Sequence, residues 1–224
     1  GDKPVTGWGE MLHTLAHGDA VCQTAHRADC PFPQEMRYEL PGLVIDNCAM
    51  AGRSSKTFRE EGRLDDIAAH IRPGDLLVVS FGHNDANRAK AERYVPADAF
   101  GESLRPFWDA ARSHGAVCIF ASPVAMREFD GDSVCHPSFA AYREAMRAFA
   151  AEVGAPFIDL GAATAAANTA FGAERCKARY MWVGAKQDNA HQQNAGACRT
   201  AQAFVQQLLQ DTTPALDVLR ANFK

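Results

Sequence analysis

The chain has 224 residues, of which 47% are hydrophobic and 22% are charged, and its formal net charge is −4. This length and composition fit one globular domain whose core is stable without a disulfide or a structural metal. The acidic balance, the absence of a basic run and the absence of a long apolar segment argue against nucleic-acid binding and against a membrane span.

Short apolar runs alternate with helical patterns along the whole chain. The predicted β-strands cover residues 43–47, 76–81, 116–121 and 156–160. Runs of this kind, without regular apolar–polar alternation, are typical of strands that are buried on both faces of a parallel sheet. Apolar residues at helical spacing cover residues 8–15, 100–111, 139–153 and 204–209. The alternation predicts a single doubly wound α/β domain over residues 1–224.

Seven cysteines are many for a cytosolic protein of this size, and they favour a secreted or periplasmic location. Cys22 and Cys30 bracket a proline-rich segment and could pair, and Cys176 and Cys198 could form a second disulfide. The sequence leaves this connectivity open. Cys118 lies within an apolar run, which indicates a small buried hydrophobic residue.

A candidate catalytic base lies near the C-terminus, in a predicted loop. Asp188 precedes His191 by three residues, so its carboxylate can accept a hydrogen bond from one ring nitrogen. The other ring nitrogen is then free to take a proton from a hydroxyl nucleophile, as in a serine hydrolase. The alternative interpretation is a histidine that caps the following helix beside an exposed aspartate.

Candidate donors for a developing oxyanion follow the first two predicted strands. Gly52 comes after the first strand and Asn84 after the second, at the sheet edge where doubly wound domains bind ligands. The Gly52 backbone N–H and the Asn84 side-chain amide could both donate to a negatively charged oxygen. The simpler alternative is that both are turn residues. We expect His83 and Asp85 to hold the Asn84 loop in shape.

Four segments occur in a specific order: Gly7 to Leu12, Asn47 to Arg63, Pro73 to Asp85, and Asp188 to Ala197. In this order they resemble the SGNH hydrolases (the GDSL esterase/lipase superfamily), and within it the branch of the rhamnogalacturonan acetylesterases. The resemblance implies a three-layer α/β/α sandwich with a flavodoxin-like parallel sheet of about five strands. It also implies that Gly52 and Asn84 form the oxyanion hole, that Asp188 and His191 complete a catalytic triad, and that no cofactor or metal takes part.

One family element is missing, namely a Gly-Asp-Ser block that ends the first strand and supplies the nucleophile. The chain instead begins Gly1-Asp2-Lys3, so either Lys3 replaces the serine in a pseudoenzyme, or Gly1 lies downstream of the true block. Only three residues separate Lys3 from Gly7, which favours the second interpretation. We therefore expect an N-terminally incomplete domain whose sheet is completed by a further N-terminal segment or a separate piece.

The remaining serines near the predicted site are poor substitutes for that nucleophile. Ser54 and Ser55 are expected to cap a helix that begins near Lys56, and Ser80 lies within a predicted strand. None of the three stands in a Gly-x-Ser-x-Gly elbow.

The predicted function is a carbohydrate O-acetylesterase that acts on acetylated oligo- or polysaccharides of the pectin or rhamnogalacturonan type by a Ser-His-Asp acyl-enzyme mechanism. Arg53 and Arg127 are candidates for binding a sugar or uronate, and the loops over residues 22–41 and 87–96 are expected to set substrate choice. The alternative is a non-catalytic carbohydrate-binding or assembly protein with the same fold. A metal hydrolase that uses His83, Asp85, Asp188 and His191 is a third, less favoured, possibility.

Overall fold

The computed structural model describes residues 5–17, 23–25 and 27–223. The α-helices are Trp8–Met11 (α1), Ser55–Glu60 (α2), Arg63–His70 (α3), Ala97–Ser113 (α4), Ala140–Val153 (α5), Leu160–Phe171 (α6), Ala173–Cys176 (α7), Asn194–Gln210 (α8) and Asp217–Arg220 (α9). Short 3-10 helices cover Leu12–Leu15, Lys177–Arg179 and Pro214–Leu216. The strands are Gln23–Ala25 (β1), Met36–Leu40 (β2), Leu43–Asn47 (β3), Leu76–Val79 (β4), Val117–Ala121 (β5), Phe129–Asp130 (β6), Val134–Cys135 (β7), Phe157–Ile158 (β8), Tyr180–Val183 (β9) and Lys186–Gln192 (β10).

A parallel sheet in the order β4-β5-β8 forms the centre of the domain. Its middle strand, β5, is buried on both faces of the sheet. Successive side chains of the strand point to opposite sides. Cys118 and Phe120 pack against α4 and α5, whereas Ile119 and Ala121 pack against α8. This arrangement confirms the predicted mixed α/β class with helices on both faces of a parallel sheet.

The predicted strand over residues 43–47 exists, but it does not belong to the parallel sheet. It pairs antiparallel with β2, which in turn pairs antiparallel with β1. Val44 is 55% exposed, so this strand has one solvated face, as antiparallel strands commonly do. The described residues therefore contain three parallel strands rather than about five, and within them β4 pairs on one side only.

Helices cover both faces of the sheet, and they pack against it with the apolar residues that the sequence predicted at helical spacing. Helix α4 buries Phe100, Leu104, Phe107 and Ala111, and α5 buries Met146 and Phe149 against the same face. Helix α8 buries Phe204 and Leu208 on the opposite face, where Leu12 joins them. Among the described residues, no helix combines the length and the apolar character needed to cross a membrane.

Cys176 and Cys198, whose pairing the sequence left open, do not form a disulfide. Cys176 is buried with a free thiol, and Cys198 is also free. Cys30 carries a free thiol as well, whereas its suggested partner Cys22 lies outside the described residues. Cys118 is buried as predicted, and its burial raises the thiol pKa to about 12. Such a thiol is inert at neutral pH.

Candidate active site

Asp188 and His191 lie on a bulge of a two-stranded antiparallel ribbon, not in the loop that the sequence predicted. Strand β10 pairs with β9 at Gln187 opposite Trp182 and again at Gln192 opposite Tyr180. Four residues of β10 therefore lie opposite a single residue of β9, and they leave the regular ladder. A β-bulge of this kind re-aims side chains that a regular strand would place in the sheet. Here it turns Asp188 and His191 toward each other.

The Asp188 carboxylate contacts both the His191 ring and the backbone beside it. Its Oδ2 lies 2.8 Å from Nδ1 of His191, and its Oδ1 accepts the backbone N–H groups of Ala190 and His191, both at 2.9 Å. Burial raises the pKa of Asp188, but the two backbone bonds and the imidazole outweigh that effect and lower it to about 2. An ionised carboxylate at Nδ1 keeps Nε2 of His191 as the proton acceptor. The His191 side chain is 57% exposed, so Nε2 is accessible to substrate.

Asn189, between these two residues, anchors the bulge to the rest of the domain. The Arg127 backbone N–H donates to the Asn189 carbonyl at 2.8 Å, and Trp182 Nε1 donates to the Asn189 side-chain oxygen at 2.8 Å. The Arg127 guanidinium donates to the Ala173 carbonyl and lies 4.9 Å from the centre of the Trp182 ring. Arg127, a predicted sugar contact, thus supports the bulge that carries Asp188 and His191 in this structure.

Gly52 and Asn84 come together at the second half of the site. Asn84 Nδ2 donates to the carbonyl of Arg53, next to Gly52, at 3.1 Å, and Asn84 Oδ1 accepts from Arg93 Nη1 at 3.3 Å. The two contacts fix the orientation of the amide, because a carbonyl can only accept and a guanidinium can only donate. One N–H of the Asn84 amide remains available. Within the described part of the chain the Gly52 N–H also has no hydrogen-bond acceptor, so two donors are free to meet an oxyanion.

Gly52 has a backbone φ of +79°, a conformation that residues with a Cβ rarely adopt. A Cβ built on Gly52 would lie 3.4 Å from Arg93 Nη1, the same nitrogen that donates to Asn84. Arg93 therefore binds Asn84 and lies beside Gly52. Sequence reasoning did not single it out, although it lies in the 87–96 loop that directly follows the Asn84 turn.

Asp85 joins the loops that carry Gly52 and Asn84. The carboxylate is fully buried and accepts the backbone N–H and the hydroxyl of Ser55, and the N–H of Gly82 at 3.0 Å. Burial raises the pKa of Asp85 above its ordinary value, although the bonds from Ser55 and Gly82 act in the opposite direction. The Ser55 hydroxyl is committed to this contact, and Ser54 is the N-cap of α2, where its side chain accepts from the Thr57 N–H. Neither serine is available as a nucleophile.

His83 precedes Asn84 in the chain and also experiences the charge of His191. Its ring lies 4.6 Å from the centre of the Phe139 ring, and desolvation lowers its pKa to about 4. The charge of His191 lowers the pKa of His83 further, so the His191 imidazole is within electrostatic reach of the loop that carries Asn84. With a pKa of about 4, His83 is a weaker proton acceptor than an ordinary imidazole, which argues against His83 as the general base.

Arg53, the other predicted sugar contact, has a structural partner. Its Nε donates to both oxygens of Glu61, at 2.8 and 3.0 Å, and its Nη1 donates to the Ala51 carbonyl. The guanidinium is therefore held by Glu61, the residue that caps the C-terminus of α2, and by its own loop, and it is the backbone carbonyl of Arg53 that contacts Asn84.

The four residues of the metal-hydrolase alternative do not converge. Within the described part of the chain, the residues with metal-binding atoms close together are Cys30, Glu35 and Asp66. Asp66 already pairs with the Arg27 guanidinium. Asp85 faces Ser55 and Gly82, and Asp188 faces His191, so these two carboxylates serve different partners.

The chain is similar to known proteins in both sequence and structure. The model of the GDSL-like Lipase/Acylhydrolase family matches residues 7–196. The chain is 34% identical to rhamnogalacturonan acetylesterase RhgT of Bacillus subtilis, over 97% of this chain and 87% of that protein. It is 38% identical to the probable rhamnogalacturonan acetylesterase YesY of the same organism, over 83% of this chain and 87% of that protein. The crystal structure of Bacillus subtilis YxiM superimposes with a TM-score of 0.76 and 26% identity, covering 95% of this chain and 52% of YxiM.

Proposed function

Because the chain belongs to the GDSL-like lipase/acylhydrolase family, a family of carboxylic ester hydrolases, we propose that this protein removes O-acetyl groups from pectic polysaccharides of the rhamnogalacturonan type. The support for this substrate is the similarity to RhgT and YesY, which extends over most of both relatives. A polysaccharide of this kind lies outside the cell, which fits the secreted or periplasmic location predicted from the cysteine content.

In the proposed mechanism, a serine hydroxyl attacks the acetyl carbonyl carbon while His191 Nε2 takes the hydroxyl proton. The carbonyl oxygen becomes an oxyanion that accepts hydrogen bonds from the Gly52 N–H and Asn84 Nδ2. His191 then returns the proton to the departing sugar oxygen, which leaves an acetyl-enzyme. A water molecule, deprotonated by His191, attacks that ester, and acetate departs as the proton returns to the serine.

One observation carries this proposal more than any other. The 2.8 Å contact between Asp188 Oδ2 and His191 Nδ1 leaves Nε2 exposed, which is the state that a general base requires. The two free amide donors at Gly52 and Asn84 supply the complementary half of the chemistry.

The serine itself has no assigned position in this proposal. Ser54 and Ser55 are engaged in structural contacts. Strand β4 is paired on one side only among the described residues, so its other edge can accept a further strand. We expect the nucleophile at the carboxyl end of such a parallel strand, because the turn that carries Asn84 follows the carboxyl end of β4.

Acetate release from acetylated rhamnogalacturonan oligosaccharides by the protein tests the proposal. Labelling with a serine-directed phosphonate, followed by peptide mass spectrometry, identifies the nucleophile. We expect acetate release and one labelled serine, both lost when His191 is replaced by asparagine. Saturable binding of the oligosaccharide with neither acetate release nor labelling would instead support the non-catalytic alternative.

A further inference from the structure

Arg93 occupies a position from which it can contact substrate as well as the oxyanion loops. Its Nη1 donates to Asn84 Oδ1 at 3.3 Å and lies beside Gly52, while the side chain remains 34% exposed. The guanidinium carries five N–H donors in a planar fork, so this contact leaves most of them unused. Any ester held between Gly52 and Asn84 therefore has a cationic group next to it.

The loop around Arg93 is basic although the protein as a whole is acidic. Residues 87–96 contain Arg88, Lys90 and Arg93 against one acidic residue, Glu92, in a chain of net charge −4. Within the described part of the chain, the carboxylate nearest to Arg93 is that of Glu92, 3.7 Å from Nε and 62% exposed. By contrast, Arg53 and Arg63 bind the shared carboxylate of Glu61 at 2.8 and 2.6 Å.

The same loop is held firmly against the site. The Val95 N–H donates to the Asp85 carbonyl at 3.0 Å, and the Arg93 N–H donates to the Lys90 carbonyl at 2.9 Å. Tyr142, from α5, donates its hydroxyl to the Val95 carbonyl at 2.7 Å. These bonds fix the backbone on both sides of Arg93. The guanidinium is thus a preorganised feature of the site and does not need to be recruited from solvent.

We propose that the 87–96 loop forms a subsite for a carboxylate of an acidic sugar, in which Arg93 binds the uronate carboxylate and Arg88 and Lys90 extend the positive surface along the polymer. The inference rests on the proposed function and adds to it how acidic glycans are told apart from neutral ones. A guanidinium matches the two oxygens of a carboxylate in a fork-to-fork pair. A neutral sugar leaves that charge without a partner.

The test compares hydrolysis of an acetylated oligogalacturonide with that of an acetylated xylo-oligosaccharide, which has no carboxylate. Arg93→Gln removes the charge and keeps a shorter polar side chain at the same position. We expect the ratio of kcat/KM for the acidic over the neutral substrate to fall by about tenfold or more in this variant, chiefly through KM, because hydrogen bonds to charged groups contribute about 1.5–3 kcal/mol. Arg93→Lys, which keeps the charge without the fork, is expected to recover part of the ratio.

Arg112→Gln is the matched control, because it removes one exposed arginine at the far end of α4, where the guanidinium lies over Trp108. Its substrate ratio is expected to equal that of the wild type. An equal loss on both substrates in Arg93→Gln would show that Arg93 acts only by orienting Asn84, and an unchanged ratio would exclude the subsite. Both outcomes overturn the inference.

A binding measurement separates this inference from the proposed function. If the wild type releases no acetate from either substrate, the proposed function fails, but calorimetric titration with unacetylated oligogalacturonate still examines the subsite. Weaker binding by Arg93→Gln than by wild type and Arg112→Gln, by about tenfold, would support the subsite in that case. Equal binding by all three proteins would refute it.

Discussion

The carboxylate of Asp85 accepts two hydrogen bonds from Ser55, one from its backbone N–H at 2.9 Å and one from its hydroxyl at 2.6 Å. A third bond, from Gly82, ties the same carboxylate to the turn before Asn84. Ser55 begins the helix that follows Gly52, so Asp85 couples the two loops that carry Gly52 and Asn84. A fully buried residue thereby holds the two candidate donors at a fixed separation.

Replacing Asp85 with alanine leaves the buried backbone N–H groups of Ser55 and Gly82 without an acceptor, whereas the Ser55 hydroxyl keeps its contact with Ser103. Each orphaned donor costs about 1–3 kcal/mol, and for a domain of this size a total near 3 kcal/mol lowers Tm by about 6–12 °C. Thermal unfolding followed by circular dichroism measures the change. Asp132→Ala, at an exposed turn position, is the control and is expected to leave Tm close to the wild-type value. An unaltered Tm in Asp85→Ala would contradict the coupling role.

Replacing His191 with asparagine removes the proposed general base. We expect kcat for acetate release to fall by about 10²–10⁴-fold, the usual contribution of a positioned acid–base group. His136→Gln provides the comparison, because His136 is also exposed and lies 3.9 Å from the carboxylate of Asp130. If both variants retain wild-type kcat, the base is elsewhere and the proposed mechanism is wrong.

Asp188→Asn is expected to lower kcat by about 10³–10⁴-fold, because an amide at Nδ1 no longer fixes the tautomer of His191. It also changes the acid dependence of stability. The folded-state pKa of about 2 lies below the ordinary value of 3.8, so the ionised carboxylate contributes stability that is present above about pH 4 and is lost as the pH falls through 2. The variant is therefore less stable than wild type at pH 7, and its free energy of unfolding falls less between pH 4 and 2.

Asp159→Asn separates these two effects of Asp188. The pKa of Asp159 is also lowered to about 2, since the bonds and charges of Arg143 and Arg147 outweigh its burial, but Asp159 lies outside the proposed site. We expect the same flattening of the acid dependence with little change of kcat. Urea unfolding at several pH values and acetate-release kinetics on each variant make the comparison. Retained kcat in Asp188→Asn would contradict the orienting role.

Asn84→Ala removes one of the two expected oxyanion donors. The loss of such a donor costs about 10²–10³-fold in kcat, with little change in KM because the bond strengthens only as charge develops. Asn222→Ala, which removes an amide that donates to Val218 near the C-terminus, serves as control. A rise in KM at constant kcat would show that Asn84 binds the ground state of the substrate instead.

Much of the fold could be predicted from the sequence because burial on both faces imposes a legible pattern. The apolar runs over residues 76–81 and 116–121 became neighbouring parallel strands, and the helical stripes became α4, α5 and α8. The run at 43–47 misled because a five-residue strand looks the same whether one face or both faces are covered. Its pairing with β2 depends on a hairpin partner that the apolar pattern does not mark. The family resemblance was confirmed by the match over residues 7–196.

The candidate site was partly legible for a different reason. Asp188 and His191 are three residues apart, so one segment contains the whole pair, and Gly52 and Asn84 each follow an apolar run that the sequence marks as a strand. Arg93 was missed because its contacts join it to residues 9 and 41 positions away. Arg53 and Arg127 were chosen by residue type alone, and their actual partners, Glu61 and Ala173, follow from packing that no local pattern encodes.

The bulge in β10 has a consequence for how the proposed activity depends on temperature. The loops of Gly52 and Asn84 are tied to the buried core through Asp85. The His191 imidazole, by contrast, lies on an irregular part of the ribbon that is held by a few hydrogen bonds to Asn189. Local opening of that stretch withdraws the proton acceptor while the globule stays intact. We therefore expect heating to abolish turnover reversibly at a temperature several degrees below the one at which cooperative unfolding begins.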